Sequence, residues 1–162
     1  MEPMAAEMNW VRAESSESSD DFVRRFREPV YRLALSITSR TDLAEDVAQD
    51  ALLRGLRHRN KLDDPLSWLR VVTVRRALSL LKQANRREPG RPQSREEGIA
   101  DSLAVRQTLA KLPAEQQTLL ALALAEGWSY GEIASALSIP EGTVASRLHA
   151  AKEAFRKKWG DL

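Results

Sequence analysis

The stretch YGEIASALSIPEGTVASRLHAAKEAF, Tyr130 to Phe155, contains two helical patterns separated by one short break, Ser138-Ile139-Pro140. Ile133, Ala134 and Leu137 form a narrow apolar face in the first pattern. In the second, Val144, Leu148, Ala151 and Phe155 recur at steps of four, three and four residues. Pro140 suits the first turn of a new helix, where its missing amide proton costs nothing. Small Ala134 lets two helices approach, and Ile139 fills the corner between them. The break therefore predicts a helix-turn-helix, with the second helix set across the first so that it can enter a major groove.

With the apolar residues of that second helix turned inward, Ser146, His149 and Glu153 point outward. Ser146 and His149, near its N-terminal end, are the candidate readers of base edges. Arg147, Lys152, Arg156 and Lys157 are candidates for phosphate contacts, which position a protein on DNA without specifying sequence. Two-helix corners also occur in all-α proteins that never touch DNA, so this stretch alone leaves both readings open.

Further toward the N-terminus, Pro113 to Ala125 predicts a helix that Gly127 ends, and Ile99 to Lys111 predicts another that stops before Leu112-Pro113. Ala84 to Gly98 is rich in proline, glycine and charge without a period, which reads as a linker. Ahead of it lie three helical patterns. Phe22, Phe26, Val30, Leu33 and Ile37 mark the first, and Val47, Ala48, Ala51, Leu52 and Leu56 the second. Asp42 and Glu45 read as a capping box for that second helix. Asp64-Pro65 starts the third, through Trp68, Leu69, Val72, Ala77, Leu78 and Leu81. The expected architecture is all-α: an acidic mobile tail over 1–20, a helical domain over 21–87, a flexible linker over 88–98, and a helix-turn-helix domain over 99–162. Neither half carries a large core, so each is expected to need support from a partner.

Charge is unevenly distributed. The formal net charge is only +2, yet residues 54–87 carry ten basic and two acidic groups, whereas residues 41–53 carry four acidic groups and no basic one. A basic block coinciding with helices of groove size points to nucleic acid, although a solvated helix face has the same composition. The chain has no cysteine and only two histidines, His58 and His149, and it lacks a glycine-rich phosphate loop. Thiolate chemistry, metal ligation and cofactor binding therefore find no residues to carry them, and no enzyme is expected. The longest apolar run, Leu119 to Ala125, is far short of the roughly 20 residues that cross a bilayer. No signal-peptide pattern opens the sequence, so the expected location is cytoplasmic; Met4 and Met8 are alternative starts.

Four stretches together resemble the extracytoplasmic-function sigma factors, the smallest members of the sigma-70 family. GTVASRLHAA, Gly142 to Ala151, is similar to the family's GTVxSRLxRA; DLAEDVAQDALLRGLR, Asp42 to Arg57, is similar to AEDxxQExFLRxxR. PLSWLRVVTVRRAL, Pro65 to Leu78, resembles the WLxxIARN helix, and Leu109 to Tyr130 the LPxxxRxxxxLxxxEGxSYxEIA approach. The resemblance implies a transcription initiation factor that binds bacterial core RNA polymerase through its clamp and flap. It also implies promoter DNA and an anti-sigma factor as partners.

On this resemblance, Asp46, Gln49, Asp50 and Arg54 would dock on the polymerase clamp. His58, Asn60 and Lys61, with Arg70, Arg75, Arg76, Ser79 and Lys82, would hold the downstream (−10) element as single strand. Trp68, the one aromatic residue of that helix, reads more readily as core than as a stacking platform. Thr143, Ala145, Ser146, Arg147, His149, Ala150, Lys152 and Arg156 would read the upstream (−35) element as duplex. Glu96-Glu97 in the linker would mimic RNA charge or simply be solvated. The sequence departs from the family pattern at Arg75, usually Asn, at Ser79, often Asp, and at Ala145 and Ala150, commonly basic or polar. Two alternatives follow: a sigma-like decoy that sequesters an anti-sigma factor, and a stand-alone helix-turn-helix regulator.

Overall fold

The structure, a computed structural model, describes residues 17–87 and 103–161, and among these every regular element is helical. The expected linker with Glu96-Glu97 and most of the expected tail lie outside the described residues. The first half contains α1 (Ser19–Thr38), α2 (Thr41–His58), a 3-10 turn (Arg59–Lys61) and α3 (Pro65–Arg87). The second half contains α4 (Leu103–Ala110), α5 (Ala114–Leu120) running into a π-helical turn (Ala121–Ala125), α6 (Tyr130–Leu137) and α7 (Glu141–Gly160).

Helix α1 begins ahead of its first apolar residue because the Ser18 hydroxyl accepts the Asp21 amide at 3.1 Å, satisfying one of the unpaired donors of the first turn. Its periodic residues Phe22, Phe26, Val30, Leu33 and Ile37 are all buried. Against Phe22 and Phe26 pack Ala48, Ala51 and Leu52 of α2 and Leu69 of α3. At Gly55 the helices are so close that a Cβ would lie 2.9 Å from Leu69 Cδ2 and 3.0 Å from the Phe22 ring.

The start of α2 corrects one expectation. No capping box forms at Asp42 and Glu45: the helix begins at Thr41 with Arg40 as N-cap, and Asp42 sits inside the first turn. Its carboxylate is taken by the Arg40 guanidinium, with contacts of 3.1 and 2.6 Å. There it still complements the positive end of the helix. By contrast Asp64 caps α3 as expected, accepting the Ser67 amide at 3.2 Å and the Ser67 hydroxyl at 2.5 Å.

In the second half, the helix expected to run to Ala125 widens over its last turn. The Glu126 amide reaches back to the Ala121 carbonyl at 3.0 Å, a five-residue step of π type. Gly127, at φ +67°, then ends it. Ser129 and Glu132 form a reciprocal capping box that starts α6. Ser138, left-handed at φ 56°, terminates that helix, and the Pro140 carbonyl accepts the amides of Thr143 and Val144 to start α7.

The halves were expected to hold separate small cores. Instead one apolar cluster passes from Ile37, Val74 and Ala77 in the first half to Leu119, Leu122 and Ile133 in the second. Gln117, 1 % exposed, lies on this seam, with its amide nitrogen 3.4 Å from the Ile37 carbonyl. Each half thus supplies the burial that neither has enough of alone.

Candidate nucleic-acid interface

The faces of α7 match their helical spacing. Val144, Leu148 and Ala151 are buried, whereas Ser146, His149, Ala150 and Glu153 are exposed. The Ser146 hydroxyl donates to the Thr143 carbonyl at 3.1 Å. That bond leaves its lone pairs available on the open side of the helix. Thr143 and Ala145 are half-buried at the margin of this face. Arg147 forms an ion pair with Glu115 of α5, and Arg156 with Glu153 one turn earlier. Lys152 and Arg156 also flank an apolar hollow of about 560 Å³, walled by Val105, Leu109, Leu120, Leu124 and Phe155. The exposed side of α7 therefore presents Ser146, His149 and Ala150 with Arg147 among them, and its later turns carry further cations.

In the first half, Asp46, Gln49 and Arg54 line the exposed side of α2. Asp46 and Gln49 border a groove between α1 and α2 of about 820 Å³, together with Arg27, Glu28, Tyr31 and Leu52. Asp50 is different. Its carboxylate lies 3.3 Å from Arg54 Nε and 3.1 Å from Arg76 Nε. A residue expected to face polymerase and one expected to face DNA are thereby joined in an ion-pair chain across α2 and α3.

His58, Asn60 and Lys61 are exposed at the 3-10 turn, and Ser79 and Lys82 along α3. The His58 ring meets Trp68 at 5.7 Å between centroids, tilted by 60°. Trp68 is half-buried against the first-half core. Arg70 and Arg75, expected on the same nucleic-acid face, are turned against α6. Arg70 Nη2 lies 3.7 Å from Glu132 Oε2, and its guanidinium sits 4.4 Å from the Trp128 ring centroid. Arg75 Nε donates to the Ala136 carbonyl at 2.7 Å and its Nη2 to the Ser138 hydroxyl at 3.0 Å.

Two carboxyls are held below their ordinary range, and both involve Arg70. Hydrogen bonds from the Ser67 hydroxyl and amide lower Asp64, with a smaller contribution from the Arg70 charge. Hydrogen bonds from the amide and hydroxyl of Ser129 lower Glu132, again with Arg70 adding to the effect.

Sequence reasoning did not identify Arg59, Gln117, Trp128, Glu132 or Ser138 as part of this region. Arg59 ties the turn down, its Nη1 donating to the Leu56 carbonyl at 2.7 Å and its Nε to the Glu17 carbonyl at 3.3 Å. The only advance signal was the Ser129-to-Glu132 spacing, which marks a cap and says nothing about a partner across the seam. Among the described residues there is no cluster of three or more histidine, aspartate or glutamate side chains arranged to hold a metal ion. No described helix is long and apolar enough to cross a membrane.

Comparison with known proteins places this geometry. Residues 22–87 match the family described as Sigma-70 region 2, and residues 102–155 match Sigma-70, region 4. The chain is similar to the ECF RNA polymerase sigma factor SigL of Mycobacterium tuberculosis, with 32 % identity over 143 residues, covering 78 % of this chain and 80 % of that one. SigM of the same organism is also 32 % identical, over 154 residues, covering 88 % and 78 %. SigW of Bacillus subtilis is 25 % identical over 179 residues, covering 94 % of each. The fold resembles that of the Bartonella quintana sigma factor RpoE, solved in complex with the anti-sigma factor NepR. That match has a TM-score of 0.62 and 22 % identity, and it covers 84 % of this chain and 92 % of that one.

Proposed function

This chain belongs to the extracytoplasmic-function sigma factors of the sigma-70 family, and from that premise we propose how its residues divide the work of transcription initiation. The exposed side of α2, with Asp46, Gln49, Asp50 and Arg54, receives the clamp of core RNA polymerase. The adjacent groove between α1 and α2, about 820 Å³, opens on the same side and extends that surface. The apolar hollow beside Leu124 and Phe155 is the surface assigned to the flap. His58, Asn60 and Lys61, with Arg70, Arg75, Arg76, Ser79 and Lys82, hold the downstream promoter strand, mainly through its phosphates.

Helix α7 reads the upstream duplex. Ser146 and His149 face the base edges, Thr143, Ala145 and Ala150 line the groove, and Arg147, Lys152 and Arg156 contact phosphate. The observation that carries this reading is α7 itself: opposite its buried Val144, Leu148 and Ala151 it exposes Ser146, His149 and Ala150, with Arg147 between them and Lys152 and Arg156 in the turns that follow. The chain contributes binding and no bond chemistry of its own, works in the cytoplasm, and is restrained by an anti-sigma factor.

The test is transcription by bacterial core RNA polymerase on fragmented genomic DNA from the source organism, with and without the protein, followed by sequencing of the transcripts. New start sites sharing paired upstream and downstream motifs are expected. Core binding without new starts would instead indicate a decoy. Absence of core binding would indicate a stand-alone regulator.

A further inference from the structure

The four residues of α2 placed on the clamp side divide between its two flanks. Asp46 and Gln49 border the groove against α1, whereas Asp50 turns toward α3. Its Oδ2 lies 3.1 Å from Arg76 Nε and 3.3 Å from Arg54 Nε. Part of each side chain stays in water, 32 % of Asp50 and 38 % of Arg76, and an ion pair exposed along its whole length would fix little. The facing atoms differ from the rest. Asp50 Oδ2 and Arg76 Nε are both buried, and neither makes a hydrogen bond among the described residues. Buried charge without a counter-charge is costly, so the ion pair is what compensates these two atoms and holds each against the other.

A guanidinium held at Nε is fixed in orientation yet keeps four N–H donors on its two terminal nitrogens. We infer that Asp50 is a positioning residue for the downstream promoter strand: from α2 it holds the inner edge of Arg76 and leaves the terminal nitrogens for a backbone phosphate. Ser79, three residues along α3, is exposed on the same side and continues that surface. The inference rests on the strand-binding role proposed for α3, whereas the ion pair does not. The sign of the effect makes it distinctive. A carboxylate acting on the strand by charge alone repels phosphate, so removing it would tighten binding. Acting through Arg76, its removal loosens binding instead.

The test uses polymerase holoenzyme assembled with the full chain in excess over core, so that strand binding is read apart from affinity for core. The DNA is a dye-labelled promoter taken from the start sites found in the transcription experiment above. Its bases are mismatched over the downstream element, so that no melting is needed. Fluorescence anisotropy gives the dissociation constant at several salt concentrations, with core alone as baseline. The variants are Asp50→Ala, Arg76→Ala and the two combined. Asp50→Asn, which keeps the shape and loses the charge, replaces the alanine variant if that one fails to fold.

Arg76→Ala is expected to weaken binding about threefold to tenfold and to lower the salt slope by about 0.7, the signature of one lost phosphate contact on a single strand. Asp50→Ala should move both quantities in the same direction. The combined variant should be no weaker than Arg76→Ala alone, because the carboxylate acts through the arginine. Tighter or unchanged binding by Asp50→Ala, or weaker binding with an unchanged salt slope, would overturn the inference. So would a combined loss equal to the product of the single losses, or an Arg76→Ala variant indistinguishable from wild type. Failure of the sigma-factor reading is separate, since it would appear earlier as an absence of new start sites.

Discussion

The guanidinium of Arg70 lies over the ring of Trp128, 4.4 Å from its centroid, and so joins α3 to the approach of the helix-turn-helix. Trp128 is also buried in the cluster that spans both halves. Its ring therefore has two roles, filling volume and attracting a cation, and two substitutions separate them. Trp128→Ala is expected to lower unfolding stability by about 3–5 kcal/mol, the cost of emptying a large aromatic site. Trp128→Phe keeps most of the volume and should lose about 1 kcal/mol or somewhat more, part of it the weaker cation contact. Urea titration followed by circular dichroism measures both.

Gly55 sits where α2 crosses the Phe22 ring and Leu69, both fully buried. A methyl group there has nowhere to go unless a rigid ring and a core leucine shift. Gly55→Ala is expected to destabilise the first half by about 1–3 kcal/mol despite the better helix propensity of alanine. An unchanged or higher denaturation midpoint would show that the crossing is looser than its distances.

Ala145 stands half-buried beside the exposed first turns of α7. Ala145→Arg is expected to strengthen binding to the upstream promoter element by about 1–3 kcal/mol if the new side chain meets a guanine edge. A weaker gain with a steeper salt dependence would mean that it reached phosphate instead. Titration of duplex promoter DNA at two salt concentrations distinguishes these, and no gain at either would contradict the placement of Ala145 in the groove.

Acid should loosen the seam. Hydrogen bonds with Ser129, assisted by Arg70, hold the Glu132 carboxyl below its ordinary value, and the Arg70 charge also acts on Asp64. A carboxyl lowered in the folded state stabilises it fully above the ordinary carboxylate range, and that contribution is lost as pH falls through the folded value. Stability should therefore hold steady from neutral pH down through the ordinary carboxylate range and decline only below it, as these lowered carboxyls protonate. Glu132→Gln should flatten part of that decline; an unaltered acid profile in the variant would remove Glu132 from the account.

Most of the helices were legible because their cores are periodic. Phe22 to Ile37 and Val144 to Phe155 fall at three- and four-residue steps, and burial follows those steps. The start of α2 was not legible, because Asp42 and Glu45 have capping-box spacing whether or not a neighbouring arginine occupies the aspartate. The π turn was hidden too. Leu119 to Ala125 is apolar at every position, so nothing in it marks where the helical phase slips. The exposed face of α7 could be read from its inward residues alone. The contacts of Arg75 with Ala136 and Ser138 could not, since one end of each is a backbone carbonyl or a serine hydroxyl. An arginine that will meet a carbonyl has the same sequence signature as one that will meet a phosphate.

The unbroken apolar cluster has a consequence for how the protein is kept in the cell. Ile37, Val74 and Ala77 are fully buried in one cluster with Leu119, Leu122 and Ile133 of the second half. A chain that opened with nothing to receive it would present those residues, together with Leu119 and Ile133, as sticky surface and would be prone to self-association. Closure would then serve as a storage form, keeping a stockpiled factor soluble until polymerase offers both halves a place to land.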